Sequence, residues 1–306
     1  MAGARWRTQR DQRCALREII LRLDDAGMKA TVVTPSYRQS EWLRLCVASV
    51  ADQEGDVEHI VQDACSDDGT QDWLAGDSRV RAYVEKDEGM YDAVNRGLKR
   101  SSGEVCSYLN CDEQYLPGAL RRVVDEFEKD PDLDVLFGDV VVVGRDGEFK
   151  AYRKRVPPRE PVVFVNPSLP ILTCATFFRR RVMESQGLWF DRTWRALGDA
   201  EWLLRVLRAG LKMRCLRDYT SIFAITGANL SGSGQAAKEG RALRRRAPGV
   251  YRLMYPCIRL EHWGRKWAYG CYRQEPFDYS IYTMQSPGER VGFSVDRPSH
   301  VYPREA

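Results

Sequence analysis

Long apolar runs are missing from this sequence. The longest, such as VLFGDVVVVG at 135–144, fall well short of the roughly 20 residues that a membrane-spanning helix needs. The opening MAGARWRTQRDQRC carries charge with no apolar core behind it, which argues against a secretory signal and for the cytoplasm. The nine cysteines contain no C-x-x-C pair and are odd in number. Reduced thiols are therefore expected, rather than a zinc cluster or a disulfide framework. No G-x-G-x-x-G follows the first apolar run, where TPSYRQ stands instead; this excludes a dinucleotide-dependent dehydrogenase. Internal repeats and low-complexity tracts are absent as well.

What is present is an ordinary globular composition, 43% hydrophobic and 29% charged, with an uneven charge distribution. Ten Lys or Arg and two Glu lie between Lys238 and Arg273, a balance of +8 within a chain of net +4. The remainder is thus net acidic. That pattern suits a near-neutral body with a basic attachment, not a protein basic all over as nucleic-acid binders are, and no nucleic-acid partner is expected.

Local patterns alternate. KATVVT reads as a buried strand, SEWLRLCVASVADQ as a helix capped by Ser40, VEHIVQ as a strand and TQDWLAG as a short helix. VRAYVE, MYDAVNRGLKRS, GEVCSYLN, PGALRRVVDEFEKD and LDVLFGDVVVVG continue the series. Strands alternating with helices predict an α/β fold with a mostly parallel sheet flanked by helices and right-handed crossovers. Residues 1–28 read as a helical lead-in, with Leu16, Ile19, Ile20 and Leu23 at helical spacing. Beyond Gly144 the pattern loosens: VVFVNPSLPILTCATFFRRRVM reads as a loop and strand running into a helix, and GDAEWLLRVLRAGLK as an amphipathic helix ending at Gly210.

In parallel sheets ligands sit beyond the carboxyl ends of the strands, and polar residues gather there. Thr34, Pro35 and Ser36, then Asp63, Glu85 and Asp87, then Asn110, Cys111 and Asp112 all fall just past predicted strand ends. Asp63 either caps the next helix or reads a base edge such as the N3–H of uracil. Asp67 and Asp68 are turn residues by composition. Asn95 and Arg96 lie on the first turns of a helix whose N-terminus suits an anion, although such charges also form solvated faces. Asp112 and Glu113 stand straight off the end of a buried strand, where carboxylates are costly unless a cation meets them. Hard oxygen ligands without a His or Cys cluster fit Mg²⁺ or Mn²⁺ better than zinc. Asp199 and Glu201 open a helix, where acids serve either the dipole or acid–base chemistry. Two residues apart, they face different ways, and only one can reach a substrate.

The stretches TVVTPSYRQSEWLRLCVASV, HIVQDACSDDGTQDWL, EKDEGMYDAVNRGLKRSSGEVCSYLNCDEQYLPGAL and GDAEWLLRVLRAG resemble, in that order, the blocks of the family 2 glycosyltransferases. The D-x-G-M-Y-D-A-x-N-x-G block followed by G-E-x-x-x-x-L-N-x-D is the specific part. The resemblance covers roughly residues 28–230. It implies a GT-A nucleotide-diphospho-sugar transferase fold and inverting transfer from a nucleotide-diphospho-sugar donor, UDP-linked by preference. The acceptor would be a hydroxyl in a glycan or lipid-linked molecule of the bacterial cell surface. It also implies that Asp63 reads the base, with the Pro35–Ser36 turn against the nucleoside. Asp112 resembles the last acid of the family's D-x-D motif, which holds Mn²⁺ or Mg²⁺ on the diphosphate; Asn110 replaces the first acid and Cys111 lies between. Asp199 is similar to the acceptor-side acid that deprotonates the hydroxyl. The G-x-G-T-R start of sugar-nucleotide pyrophosphorylases is absent. A catalytically degenerate domain acting as a membrane-surface scaffold is the rival reading; Asn110 favours it, and the retention of Asp112 and Asp199 speaks against it.

The resulting organisation is a lead-in at 1–28, a nucleotide-sugar half at 29–145, an acceptor and base half at 146–231, and a basic, aromatic C-terminal extension at 232–306. In 244–273, Trp263, Trp267, Tyr269 and Tyr272 interleave with Arg and Lys. Two readings stay open for that stretch: a helix packed over the acceptor side, or an interfacial segment making peripheral contact with anionic lipid.

Overall fold

The structure is a computed structural model that describes residues 27–166, 172–227, 229 and 232–301. The helical lead-in expected over 1–28 lies, but for its last two residues, outside the described residues.

Four short runs, each carrying at least one valine, form a parallel block within a nine-stranded sheet. Strand β1 (Ala30–Ser36) pairs with β2 (Val57–Asp63) in a register that sets Ser36 beside Asp63. Strand β3 (Arg81–Val84) flanks β2, and β4 (Val105–Tyr108) flanks β1, all parallel. Their crossovers carry helices α1 (Ser40–Ala51), α2 (Thr70–Leu74) and α3 (Met90–Arg100). All four carboxyl ends therefore open on one rim.

The second half is mixed, as its looser pattern foreshadows. After β5 (Glu113–Tyr115) and α4 (Ala119–Lys129) come β6 (Val135–Val143) and β7 (Phe149–Arg153). Helix α5 (Glu160–Val165), a 3₁₀ turn (Thr173–Ala175), β8 (Thr176–Arg179) and α6 (Arg181–Glu184) follow. Helix α7 (Gly198–Arg208) leads into β9 (Met213–Ala224). The strand order is β3-β2-β1-β4-β8-β6-β9-β5, with β7 added to β6. Strands β8, β7 and β5 run antiparallel to their neighbours. The loop expected at VVFVNPSLP begins instead as α5, and residues 167–171 lie outside the described residues. Ser40 makes no cap: its amide donates to Asp68 Oδ2 at 2.9 Å, so the next loop supplies the acceptor.

The extension forms α8 (Gly234–Arg246), α9 (Gly249–Leu253) and α10 (Tyr255–Ala268), then a hairpin of β10 (Phe277–Thr283) and β11 (Ser286–Val295). The hairpin is stapled to the body. Gln114 donates to the Tyr282 carbonyl at 2.8 Å and accepts its amide at 2.9 Å, while Arg290 pairs with Asp52 at 2.6 Å.

Two buried clusters fix the rim. Val32, Val50, Leu120, Phe127 and Phe177 fill one face. Tyr91, Tyr108, Phe178, Phe190, Trp202 and Leu203 fill the other and weld α7 onto α3 and β8. Trp202 stacks on Phe190 with ring centroids 5.1 Å apart. Through that contact the first turn of α7 is delivered to the same rim.

Candidate active site

Residues from three strand ends meet at the rim. Asp63, fully buried, accepts from Ser36 Oγ at 3.0 Å, Ser66 Oγ at 2.6 Å and the Ser66 amide at 2.8 Å. This knot binds the β1 and β2 loops into one wall. The loop beyond uses its acids locally, with Asp67 pairing with exposed Arg38 at 2.6 Å and Asp68 accepting from Thr70 Oγ1 at 2.6 Å.

Several residues expected at the rim are engaged elsewhere. Thr34 is buried, its hydroxyl 2.9 Å from His59 Nε2 and 3.5 Å from Cys46 Sγ, one strand step below Ser36 and beneath α1. Cys111 is buried and donates to the Pro35 carbonyl at 3.4 Å, leaving half-buried Pro35 at the edge. Asn95 clamps the backbone of Phe190, donating to its carbonyl at 2.7 Å and accepting its amide at 3.1 Å. Arg96 is held by Asp92 at 2.7 Å and by Glu85 at 3.3 Å, and Glu85 also pairs with Arg100 at 2.8 Å. A cation bracketed by two carboxylates has little left for a phosphate. Asp87 accepts the Gly89 amide at 2.8 Å, and loss of hydration raises its carboxyl above the usual range. Gly89 itself has φ +120°, and the Arg195 guanidinium lies where a Cβ would stand.

On the β4 side, half-buried Asp112 accepts from Asn229 Nδ2 at 3.1 Å, its one side-chain donor among the described residues. Glu113 behind it is buried and accepts the Asn110 amide at 2.8 Å. Lost hydration raises both carboxyls, and the charge of Asp112 raises Glu113 further. Two raised acids side by side are what an arriving cation would relieve. Among the described residues no group of three or more His, Cys, Asp or Glu forms a ready-made cage. The donor set thus fits a hard divalent ion shared between one carboxylate and a ligand's phosphate oxygens.

Across the rim, Asp199 occupies the first turn of α7. Its Oδ1 accepts from the Tyr91 hydroxyl at 3.3 Å, and its amide donates to the same hydroxyl oxygen at 3.1 Å. Lost hydration lifts its carboxyl to about 6, although its own and the Ala200 amides and Tyr91 oppose that rise. A carboxylate poised near neutrality is suited to taking a proton. Glu201, by contrast, is bound to Arg205 at 2.9 Å along the helix. Gly198 makes the arrangement fit, since a Cβ there would come within 2.6 Å of the Tyr91 ring. Tyr91 and Asn229 escaped the sequence reading. Tyr91 sits inside the quoted D-x-G-M-Y-D-A block, where an aromatic passes for core; Asn229 lies in a Gly- and Ser-rich stretch with no local signal.

Comparison with known proteins bears on this geometry. The model of the family described as "Glycosyl transferase family 2" matches residues 31–187. The succinoglycan biosynthesis protein ExoO of Rhizobium meliloti (strain 1021) is 27% identical over 195 residues, covering 59% of this chain and 56% of that one. The chain spans about half the length of the curated relatives it matches. S. aureus TarS 1–349, solved in complex with UDP-GlcNAc, superposes with a TM-score of 0.53 at 16% identity, covering 67% of this chain and 61% of that one. The mannosyltransferase PcManGT from Pyrobaculum calidifontis, in complex with GDP-Man and Mn²⁺, gives 0.52 at 16%, covering 79% and 72%. The shared architecture is the GT-A fold.

Proposed function

The chain belongs to glycosyl transferase family 2, and from that premise we propose that it is an inverting glycosyltransferase of cell-surface polysaccharide or glycolipid synthesis. Its donor is a nucleotide-diphospho-sugar, UDP-linked by preference, and its acceptor a hydroxyl of a glycan or lipid-linked molecule. The observation that carries the reading is Asp199, a carboxyl raised to about 6 and oriented by Tyr91 at the rim that Asp112 shares. In this mechanism Asp199 takes the acceptor's hydroxyl proton as that oxygen attacks the anomeric carbon, and the sugar–phosphate bond breaks on the opposite face. Asp112 would hold Mn²⁺ or Mg²⁺, which supplies charge neutralisation to the departing diphosphate. The Asp63 knot, with Ser36 and Pro35, forms the wall against which the nucleoside lies, and Asn110 stands in the turn that leads to Asp112, its carbonyl accepting the Glu113 amide at 3.1 Å.

The extension supports a peripheral membrane contact. Helices α9 and α10 bury no residue, and Leu253, Leu260, Trp263 and Trp267 are 83%, 69%, 53% and 71% exposed. Arg259 lies over the Trp263 ring at 5.1 Å, a pairing of cation and aromatic that suits an anionic lipid interface. Among the described residues no helix is long and apolar enough to cross a membrane.

Thermal unfolding with UDP, GDP or CMP, each with and without Mn²⁺, tests the site. One nucleotide should raise the melting temperature only when the metal is present; about 2.7 kcal/mol is gained at a hundredfold excess over Kd. Asp112→Ala should remove the metal-dependent part. Asp199→Asn should keep it and lose sugar transfer. A metal-independent shift, or transfer that survives in Asp199→Asn, would overturn the assignment.

A further inference from the structure

We propose that Glu239, on α8, is a positioning residue for Asp199, holding from the C-terminal extension the backbone that delivers the candidate base. The inference rests on the transferase reading above for its functional meaning.

Helix α7 begins without a side-chain cap, because its N-cap residue is Leu197. The first amides of a helix have no partner inside it, and its positive end favours an anion. Here an anion 42 residues further along the chain takes the N-cap amide of Leu197 together with the two amides before it. Glu239 Oε1 accepts the Arg195 amide at 2.8 Å, and Oε2 accepts those of Ala196 and Leu197 at 2.9 and 2.8 Å. The carboxylate is 7% exposed and is itself steadied by Gln235 Nε2 at 2.6 Å. Among the described residues no Lys or Arg is ion-paired with it, so its charge is spent on the α7 entrance. These are charge-assisted bonds, shorter and stronger than neutral ones.

The segment they hold carries two site groups. Arg195 lays its guanidinium over Gly89, and Asp199 meets Tyr91 only two residues past the last clasped amide. Tyr91 reaches Asp199 from α3, and Glu239 reaches its approach from α8. The base is thus held from two sides by elements far apart in sequence. Ser233 caps α8 by accepting the Ala236 amide at 3.2 Å, which fixes the helix on which Glu239 rides. Helix α8, like α7, lies outside the span matched by the family model, residues 31–187.

The test uses the full chain and Glu239→Gln, which keeps the shape but turns an NH₂ toward backbone donors. Two readouts are needed: amide hydrogen exchange over 195–199 by mass spectrometry, and steady-state release of UDP from UDP-GlcNAc, to water or to an added sugar. In Glu239→Gln the 195–199 amides should exchange at least about tenfold faster. The kcat should fall by about tenfold to a hundredfold, as expected for a misplaced catalytic group, with KM for the donor within about twofold. Gln235→Leu, a milder change, should move both quantities in the same direction by less. If Glu239 were merely structural, donor binding would be lost in step with the folded fraction; that pattern, or faster exchange with unchanged kcat, overturns the proposal. A wild-type chain that releases no UDP overturns UDP-GlcNAc as its donor and leaves the clasp to the other readout. The exchange pattern then decides the clasp by itself, and unprotected amides at 195–197 in the wild type would sink it.

Discussion

Tyr91 is the residue on which the chemistry of Asp199 turns, because one hydroxyl both donates to the carboxylate and accepts the amide of the same residue. A donor to the ionised form lowers an acid's pKa, and burial raises it; burial wins, leaving Asp199 at about 6. Tyr91→Phe removes the opposing donor, so the pKa should rise and the carboxylate should form only at higher pH. The acidic limb of kcat/KM, which reports the free enzyme's base, should therefore move upward. The kcat should fall by about tenfold or more, the cost of a hydrogen bond to a charged group at about 1.5–3 kcal/mol. An acidic limb that stays in place in Tyr91→Phe would remove Tyr91 from the mechanism. Residue by residue, the site was partly legible. Ser36, Asp63, Asp112 and Asp199 stand out as candidates because polar groups at strand ends and helix starts carry a local signature. Thr34 was misjudged because spacing gives the face of a strand but not the depth at which α1 covers it. The capture of Arg96 by Asp92 follows the i,i+4 rule and could have been read. The grip of Asn95 on Phe190, 95 residues away, could not.

At the scale of elements, close packing decides what the motif's glycine does. Gly97, on α3, faces β1 so tightly that an added Cβ would overlap Val33 Cγ1. Helix α3 carries Tyr91 and Asn95 and so sets the height of the rim. Gly97→Ala should lower stability by about 1–3 kcal/mol, the usual cost of overpacking, seen as a lower denaturant midpoint. An unchanged midpoint would mean that α3 is free to slide and does not fix the site. The parallel strands β1 and β2 were readable because each is a short buried run rich in β-branched residues and bounded by turns; β3 and β4 carry one valine apiece and were readable from their place in the alternation. Strand β9 was not, since its first half is lined by long arms: Arg214 reaches Glu126 at 3.2 Å and Arg217 reaches Asp139 at 3.6 Å. Such side chains hide the alternation that a strand with one wet face would show. The hairpin does alternate, with Tyr279, Ile281 and Thr283 buried between more exposed neighbours, but the charge of the preceding helices drew the reading away from it.

For the molecule as a whole, the extension has two faces with different work. Its inner side joins the body: Glu239 clasps the α7 entrance, Arg265 donates to the Pro157 carbonyl at 2.7 Å, and Arg159 pairs with Glu261 at 2.6 Å. Its outer side leaves Leu260, Trp263 and Trp267 at i, i+3 and i+7 on α10, an unpaired apolar stripe in the segment whose balance is +8. The inner side answers to the packed-helix reading, and the outer stripe is the surface that the proposed interfacial segment would use. Apolar insertion and attraction to anionic headgroups act together in such helices, at about 1 kcal/mol for each Lys or Arg near the surface. The full chain should therefore sediment with vesicles of phosphatidylcholine and phosphatidylglycerol and much less with phosphatidylcholine alone. Binding should weaken as salt screens the charges. Trp267→Ser should reduce the bound fraction at every salt concentration, whereas Arg259→Gln should flatten the salt dependence. Equal binding to neutral and anionic vesicles, or binding indifferent to Trp267, would assign the stripe to something other than a lipid surface.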